Sequence, residues 1–144
     1  MPKVKYTEAK GLYQESGAGL DLSGDLALTG ALSVSSTLAF SNKLVGSVNS
    51  QSAPGAISLG TLTTLVSTVT GPVAASLAAG TAGQLKILVM TAKASTHEVV
   101  LTVTGGLADG VNNTITFADV GDAIVLVYTG TKWAVVANNG AALS

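Results

Sequence analysis

Apolar and polar positions along this chain keep two different rhythms. From Leu20 to Leu44, LDLSGDLALTGALSVSSTLAFSNKL, leucine returns every sixth residue, at Leu20, Leu26, Leu32, Leu38 and Leu44. A second apolar residue follows two places after each of the first four, at Leu22, Leu28, Val34 and Phe40. Gly24, Gly30, Ser36 and Asn42 keep the same beat. Glycine and asparagine tolerate positive φ, and serine bonds its own backbone, so these are the places where the chain bends most cheaply. The repeat predicts a short strand with one buried face and then a corner.

One such hexad cannot stand alone. Ordering six residues costs about 1–2 kcal/mol each in backbone entropy, whereas two buried aliphatic side chains return only about 3–6 kcal/mol together. The ladder hydrogen bonds that would help need a second strand. Successive hexads can stack as rungs of a coil, or identical hexads of other chains can close around a common axis; a hairpin of two amphipathic strands fits the apolar positions but not the sixfold spacing of the turn residues. A coil this short would want caps at both ends. Closure between chains is therefore the favoured reading, with Leu20, Leu22, Leu26, Leu28, Leu32, Val34, Leu38 and Phe40 as contacts.

From Ala56 the second rhythm begins, a run of short strands separated by turn residues, as in a sandwich or barrel. The candidates are 57–59, 62–69, 73–77, 84–91, 98–104, 114–117, 123–129 and 133–137, punctuated by Gly71-Pro72, Gly80-Thr81-Ala82-Gly83, Gly105-Gly106, Asp109-Gly110, Gly121-Asp122 and Gly130-Thr131-Lys132. The last predicts a hairpin. Alternation places Leu85, Ile87 and Val89 in the core with Gln84 and Lys86 outside, and Val99, Leu101 and Val103 in the core with Ile115 and Phe117. Along 123–129, Ile124, Leu126 and Tyr128 are opposed by Val125 and Val127. A strand apolar on both faces lies centrally or at a subunit contact, which makes Val125 and Val127 further candidate contacts. Trp133, the only tryptophan, is expected to be buried with its N–H bonded.

Before and between these parts lie two polar stretches. Residues 1–19 carry three of the seven lysines around Val4, Tyr6, Leu12 and Tyr13, and suit an extended arm that orders on a partner through those four anchors. Residues 46–55, closed by Pro54-Gly55, read as a linker. The predicted organisation is an arm (1–19), a hexad segment (20–45), a linker (46–55) and a β-domain (56–144), all-β throughout, the last a small antiparallel β-sandwich with a jelly-roll-like character.

Composition sharpens this picture. Apolar residues make up 47% and charged residues 10% of the 144, the latter well under the usual quarter or so. So little charge on a monomer points to apolar surface covered by other subunits. With a net charge of −1 and no arginine, a nucleic-acid surface is not expected. There is no cysteine, hence no disulfide or thiol chemistry. The amino terminus lacks the apolar core of a signal peptide, and the longest strongly apolar run, Leu85 to Met90, is too short to span a bilayer. The expectation is a chain made in a cytoplasm, soluble until it assembles, with no membrane partner.

No catalytic constellation is assembled by the sequence. His97 and Glu98 are neighbours on a predicted strand edge and point apart, so His97 reads as a solvated turn residue. The glycine runs match neither a phosphate loop nor a dinucleotide fingerprint. Asp109, Asp119 and Asp122 have oxygen ligands suited to calcium, but their spacing fits no EF-hand and ordinary turn capping explains them.

Taken together, the segment GDLALTGALSVS at 24–35 resembles the Gly-x-Leu-x-Val/Leu-Ser/Thr repeats of trimeric phage fibres. The stretch from Gly80-Thr81-Ala82-Gly83-Gln84 through Val89-Met90-Thr91-Ala92 and Ile115-Thr116-Phe117 to Thr131-Lys132-Trp133 and Val136-Ala137-Asn138-Asn139-Gly140 is similar to a small β-domain of tailed-bacteriophage virion proteins: head-decoration (cement), head-fibre and tail-fibre subunits. The resemblance implies a homotrimer that binds a virion surface, with the major capsid protein or another virion protein as partner, and neither catalysis nor cofactor. Four hexads are few for a fibre shaft, which favours a capsid-decoration subunit. The alternatives are a tail-fibre or spike module whose loop Gly105 to Asn113 touches a host glycan, and, third, a glycan hydrolase, which would need a carboxylate pair that the strands do not present.

Overall fold

The computed structural model describes residues 4–7, 11–14, 29, 32–39 and 44–144. Two compact units divide the chain, Met1–Ser41 and Asn42–Ser144. In the first, strand β1 (Val4–Thr7) pairs antiparallel with β2 (Gly11–Gln14), in the register Val4↔Gln14 to Thr7↔Gly11. Within the predicted arm these two strands form a hairpin, three residues apart, the spacing at which a hairpin closes. Residues 32–39 form no strand, and the chain bends at Ser35-Ser36, where the hexad pattern puts a corner.

The second unit is all-β and contains two five-stranded sheets. Its strands are β3 (Val48–Gln51), β4 (Gly55–Ala56), β5 (Thr63–Ser67), β6 (Val73–Leu77), β7 (Leu85–Ala92), β8 (Val99–Val103), β9 (Thr114–Phe117), β10 (Ala123–Tyr128), β11 (Trp133–Asn139) and β12 (Ala142–Leu143). The order is β11-β10-β7-β5-β3 in the first sheet and β12-β9-β8-β6-β4 in the second. From β3 to β8 the chain alternates between sheets at every strand, and neighbours within each sheet are parallel. This half is built as three successive coil turns. The other half is antiparallel: β9 returns beside β8, the β10–β11 hairpin lies beside β7, and β12 joins β9.

Two expectations are corrected here. The sandwich is mixed, with a parallel half, and its strand order is not that of an antiparallel jelly roll. The stretch 46–55 is also no linker, because β3 and β4 lie within or at the end of it and form the first coil turn. Its small polar residues suit an edge: Ser50 faces outward, while Asn49 turns in and its Oδ1 accepts from Thr64 Oγ1 at 2.6 Å and Thr61 Oγ1 at 3.1 Å. The pairing partner of β3 lies on the next coil turn, so local sequence carries no hairpin signal for it.

Between the sheets lies one apolar core. Val73, Ala75 and Leu77 of β6, Val99, Leu101 and Val103 of β8 and Ile115 and Phe117 of β9 face Leu88 and Met90 of β7 and Ile124, Leu126 and Tyr128 of β10. Trp133 is wholly buried, meets Tyr128 edge-on with ring centroids 5.2 Å apart, and donates from Nε1 to the Ala78 carbonyl at 2.9 Å. Gly80 lies flat against that indole, where a Cβ would come within 2.8 Å of the ring.

Strand β7 reverses its expected faces. Lys86, Leu88 and Met90 point into the sandwich, and Leu85, Ile87 and Val89 point out. The apolar run from Leu85 to Met90 is compatible with either parity. Lys86 is accommodated inside because its Nζ reaches three oxygens, the Ser58 and Thr61 carbonyls at 2.8 Å each and Thr61 Oγ1 at 3.1 Å.

Candidate functional site

The first candidate surface is the outward face of the first sheet. Its rows follow from the register: Val48–Thr63–Ile87–Val125–Ala137, then Ser50–Leu65–Val89–Ala123–Asn139, then Leu85–Val127–Ala134. Val125 and Val127 do lie here, opposite the core residues of their own strand. None of these side chains is charged. The outward face of the second sheet has a different character, with Ala74, Ser76, Val100, Thr102, Thr114 and Thr116 exposed or half-buried. Hydroxyls and small side chains suit water, whereas valine, leucine and isoleucine do not. Sequence reasoning found Val125 and Val127 through the two-faced pattern of β10 and missed Leu85, Ile87 and Val89, because it assigned them to the core.

The hexad segment supplies a second surface. Among its described residues, Leu32 is 58%, Val34 42%, Leu38 51% and Leu44 69% exposed. These four apolar positions of the repeat are exposed, and the strand expected there is absent over 32–39. Leu20, Leu22, Leu26, Leu28 and Phe40 lie outside the described residues. Of the arm residues Val4, Tyr6, Leu12 and Tyr13, the backbone is described: Tyr6 pairs with Leu12, and Tyr13 with Lys5.

A polar cleft of about 450 Å³ opens at the end of the sandwich, between the end of β8, the loop 104–113 and Lys132. The loop is held from within. Asp109 Oδ1 accepts the backbone N–H groups of Val111 and Asn112 at 3.0 Å each, and its Oδ2 accepts from Asn112 Nδ2 at 2.8 Å. These bonds, the Val111 N–H first, hold the Asp109 carboxyl below its usual pKa, and the Lys132 charge adds to the effect. Leu107 N donates to Asn112 O at 2.8 Å and Asn113 N to Ser144 O at 2.8 Å. The cleft is also lined by Thr102, Thr104, Asn113 and Lys132, whose side chains carry two hydroxyls, an amide and an ammonium. Such a set suits hydroxyl-rich or anionic ligands bound at the rim of an open cleft.

The remaining titratable groups act locally. Asp122 Oδ2 accepts the N–H groups of Ala118 and Asp119 at 2.8 and 2.9 Å, the turn capping expected of it. Asp119 pairs with Lys93 at 2.9 Å and is largely exposed, so the pair adds little stability. His97 follows a turn in which its N–H donates to Ala94 O at 3.2 Å. Its ring is half-buried with Nδ1 unbonded, less solvated than expected. Among the described residues no three His, Cys, Asp or Glu side chains converge on a metal site, and no helix is long and apolar enough to cross a membrane. Compared with protein-family models and with curated proteins, the chain matches none.

Proposed function

We propose that this chain is a non-enzymatic structural subunit of a tailed-phage virion, a capsid-decoration (head-fibre) protein that assembles as a homotrimer and binds the assembled shell. The observation that carries the reading is the exposure of Leu32, Val34, Leu38 and Leu44, the apolar positions of a sixfold repeat, in a chain with only 10% charged residues. Exposed leucines on a regular beat are contacts waiting for identical copies. The arm at residues 1–19 and the hexads would meet the major capsid protein, and the sandwich would project. A ligand that binds only the assembled shell stabilises that shell by mass action.

The test is co-sedimentation of the purified full chain with assembled, DNA-free phage shells and with unassembled capsid protein. Saturable binding to shells alone, with a higher disruption temperature for the decorated shells, is the expected result. Equal affinity for unassembled protein, or no binding to either, overturns the reading. A Leu32→Ser/Leu38→Ser variant is expected to lose trimer mass while keeping the Trp133 fluorescence of a folded sandwich.

The cleft beside Lys132 favours a second reading, a tail-fibre or spike module that binds a host glycan through the loop Gly105 to Asn113. The observation is that this loop lines the cleft together with two threonine hydroxyls and an ammonium. Saturable binding to a cell-surface glycan array, abolished by Lys132→Ala, would establish it.

A further inference from the structure

We infer that the outward face of the first sheet is a contact between copies of this chain, and that it joins sandwich to sandwich independently of the hexad segment. It is a pairwise, twofold contact of one face with the same face of a second copy, distinct from the threefold closure proposed for the hexads, and it rests neither on that closure nor on attachment to a capsid.

Two observations carry it. The first is one-sided cover of an apolar sheet, a matter of side chains and not of strand direction, since β4, β6 and β8 of the second sheet run parallel as well. Here the second sheet covers one face, while Leu85 (49%) and Val48 (57%) stand exposed on the other. The second is the contrast between the two outer faces. The outer face of the second sheet is mainly Ala74, Ser76, Thr102, Thr114 and Thr116 with one exposed valine, Val100, whereas the first carries the half-buried Leu65, Ile87, Val89, Val125 and Val127. With the lysine of β7 turned inward, the outward residues Leu85, Ile87 and Val89 of that strand are all apolar.

Charge and area point to a further copy as the occupant. A face with no charged side chain offers nothing to orient a charged partner, and it is complementary to another face of the same kind. The rows named above hold thirteen positions, each about 4.8 by 6.8 Å, which makes a face of roughly 420 Å². Two such faces would bury about 850 Å² in total, the size of a weak, reversible contact of the kind a dilution series resolves. Packing of aliphatic sheet faces about 10 Å apart would interdigitate these valines and leucines as in a sandwich core.

The experiment measures the mass of the full chain by sedimentation across a dilution series. Val125→Lys/Val127→Lys places two charges on the face; Thr102→Lys/Thr116→Lys places two on the other sheet as control. The expected result is that the first pair raises the concentration of half-dissociation at least tenfold and the control shifts it less than twofold. Val125→Thr/Val127→Thr, which keeps β-branching and shape, guards against misfolding and is expected to shift it in the same direction, with unchanged Trp133 fluorescence. A parent chain that is monomeric throughout, or a midpoint within twofold of the parent for both face variants, overturns the inference. Failure of shell binding with the midpoint shift intact would instead remove only the capsid reading.

Discussion

Lys86 donates from its ammonium to the carbonyl oxygen of Thr61 at 2.8 Å while having no exposed surface. With the Ser58 carbonyl and the Thr61 hydroxyl it has an acceptor for each of its three protons. Gln84 works beside it, donating to the Leu59 carbonyl at 2.7 Å. The start of β7 thereby ties down the segment 58–61 that links one coil turn to the next.

Burial lowers the Lys86 pKa from 10.5 to about 8. Below about 8 both folded and unfolded chains hold this proton, so the group imposes no pH dependence. Between about 8 and 10.5 the unfolded chain binds more protons, and stability rises with pH. At about 1.4 kcal/mol per pH unit, the gain amounts to about 3 kcal/mol across that window. Urea denaturation at several pH values is expected to show the rise for the parent chain relative to Lys86→Met, which has no such proton to lose. Parallel curves for the two proteins would contradict the assignment.

Trp133 combines a fully buried ring with a hydrogen bond to Ala78. Trp133→Phe removes the donor, leaves that carbonyl unpaired and opens a void, so a loss of about 2–4 kcal/mol is expected. Circular dichroism melts provide the measurement, since the variant lacks the only tryptophan.

Gly140 has φ +82° and lies against the Asp122 carboxylate, which is already engaged with the N–H groups of Ala118 and Asp119. Gly140→Ala is expected to cost about 2 kcal/mol through backbone strain and collision, and Asp122→Ala about 1–3 kcal/mol through the lost acceptors. The double variant is expected to lose less than the sum, because removing the carboxylate relieves the collision. Additive losses in denaturant melts would show that the two sites are uncoupled.

The Asp109 carboxylate organises its loop only while ionised. Because its folded-state pKa is lowered, its contribution is complete above the ordinary carboxylate range and is lost as pH falls through the folded value. The protection of the Val111 and Asn112 amides, relative to the intrinsic exchange rate at each pH, is expected to fall in acid, and Asp109→Ala is expected to show that low protection already at neutral pH.

Much of this architecture was legible in the alternation of single strands. The spans 73–77 and 114–117 coincide with β6 and β9, and the inward residues of β8, β9 and β10 follow the period of two. The bonded, buried Trp133 and the capping roles of Asp109 and Asp122 were legible for a related reason, since a large indole and a turn carboxylate have few low-energy alternatives. The face of β7 was not. Six consecutive apolar or amphipathic positions fit either parity, and the lysine that breaks the tie on average does so wrongly where three oxygens await it.

What the sequence by itself determined was therefore local: an all-β chain, its turns, most of its strands and a leucine at every sixth residue from Leu20 to Leu44. Those properties depend on residues a few positions apart. Only the tertiary structure decided that 48–56 is the first turn of a parallel coil, that Lys86 points inward, and that valine and isoleucine gather on one outer face. Each of these depends on pairings between residues far apart in the chain, where register and available acceptors, rather than local preference, set the free energy.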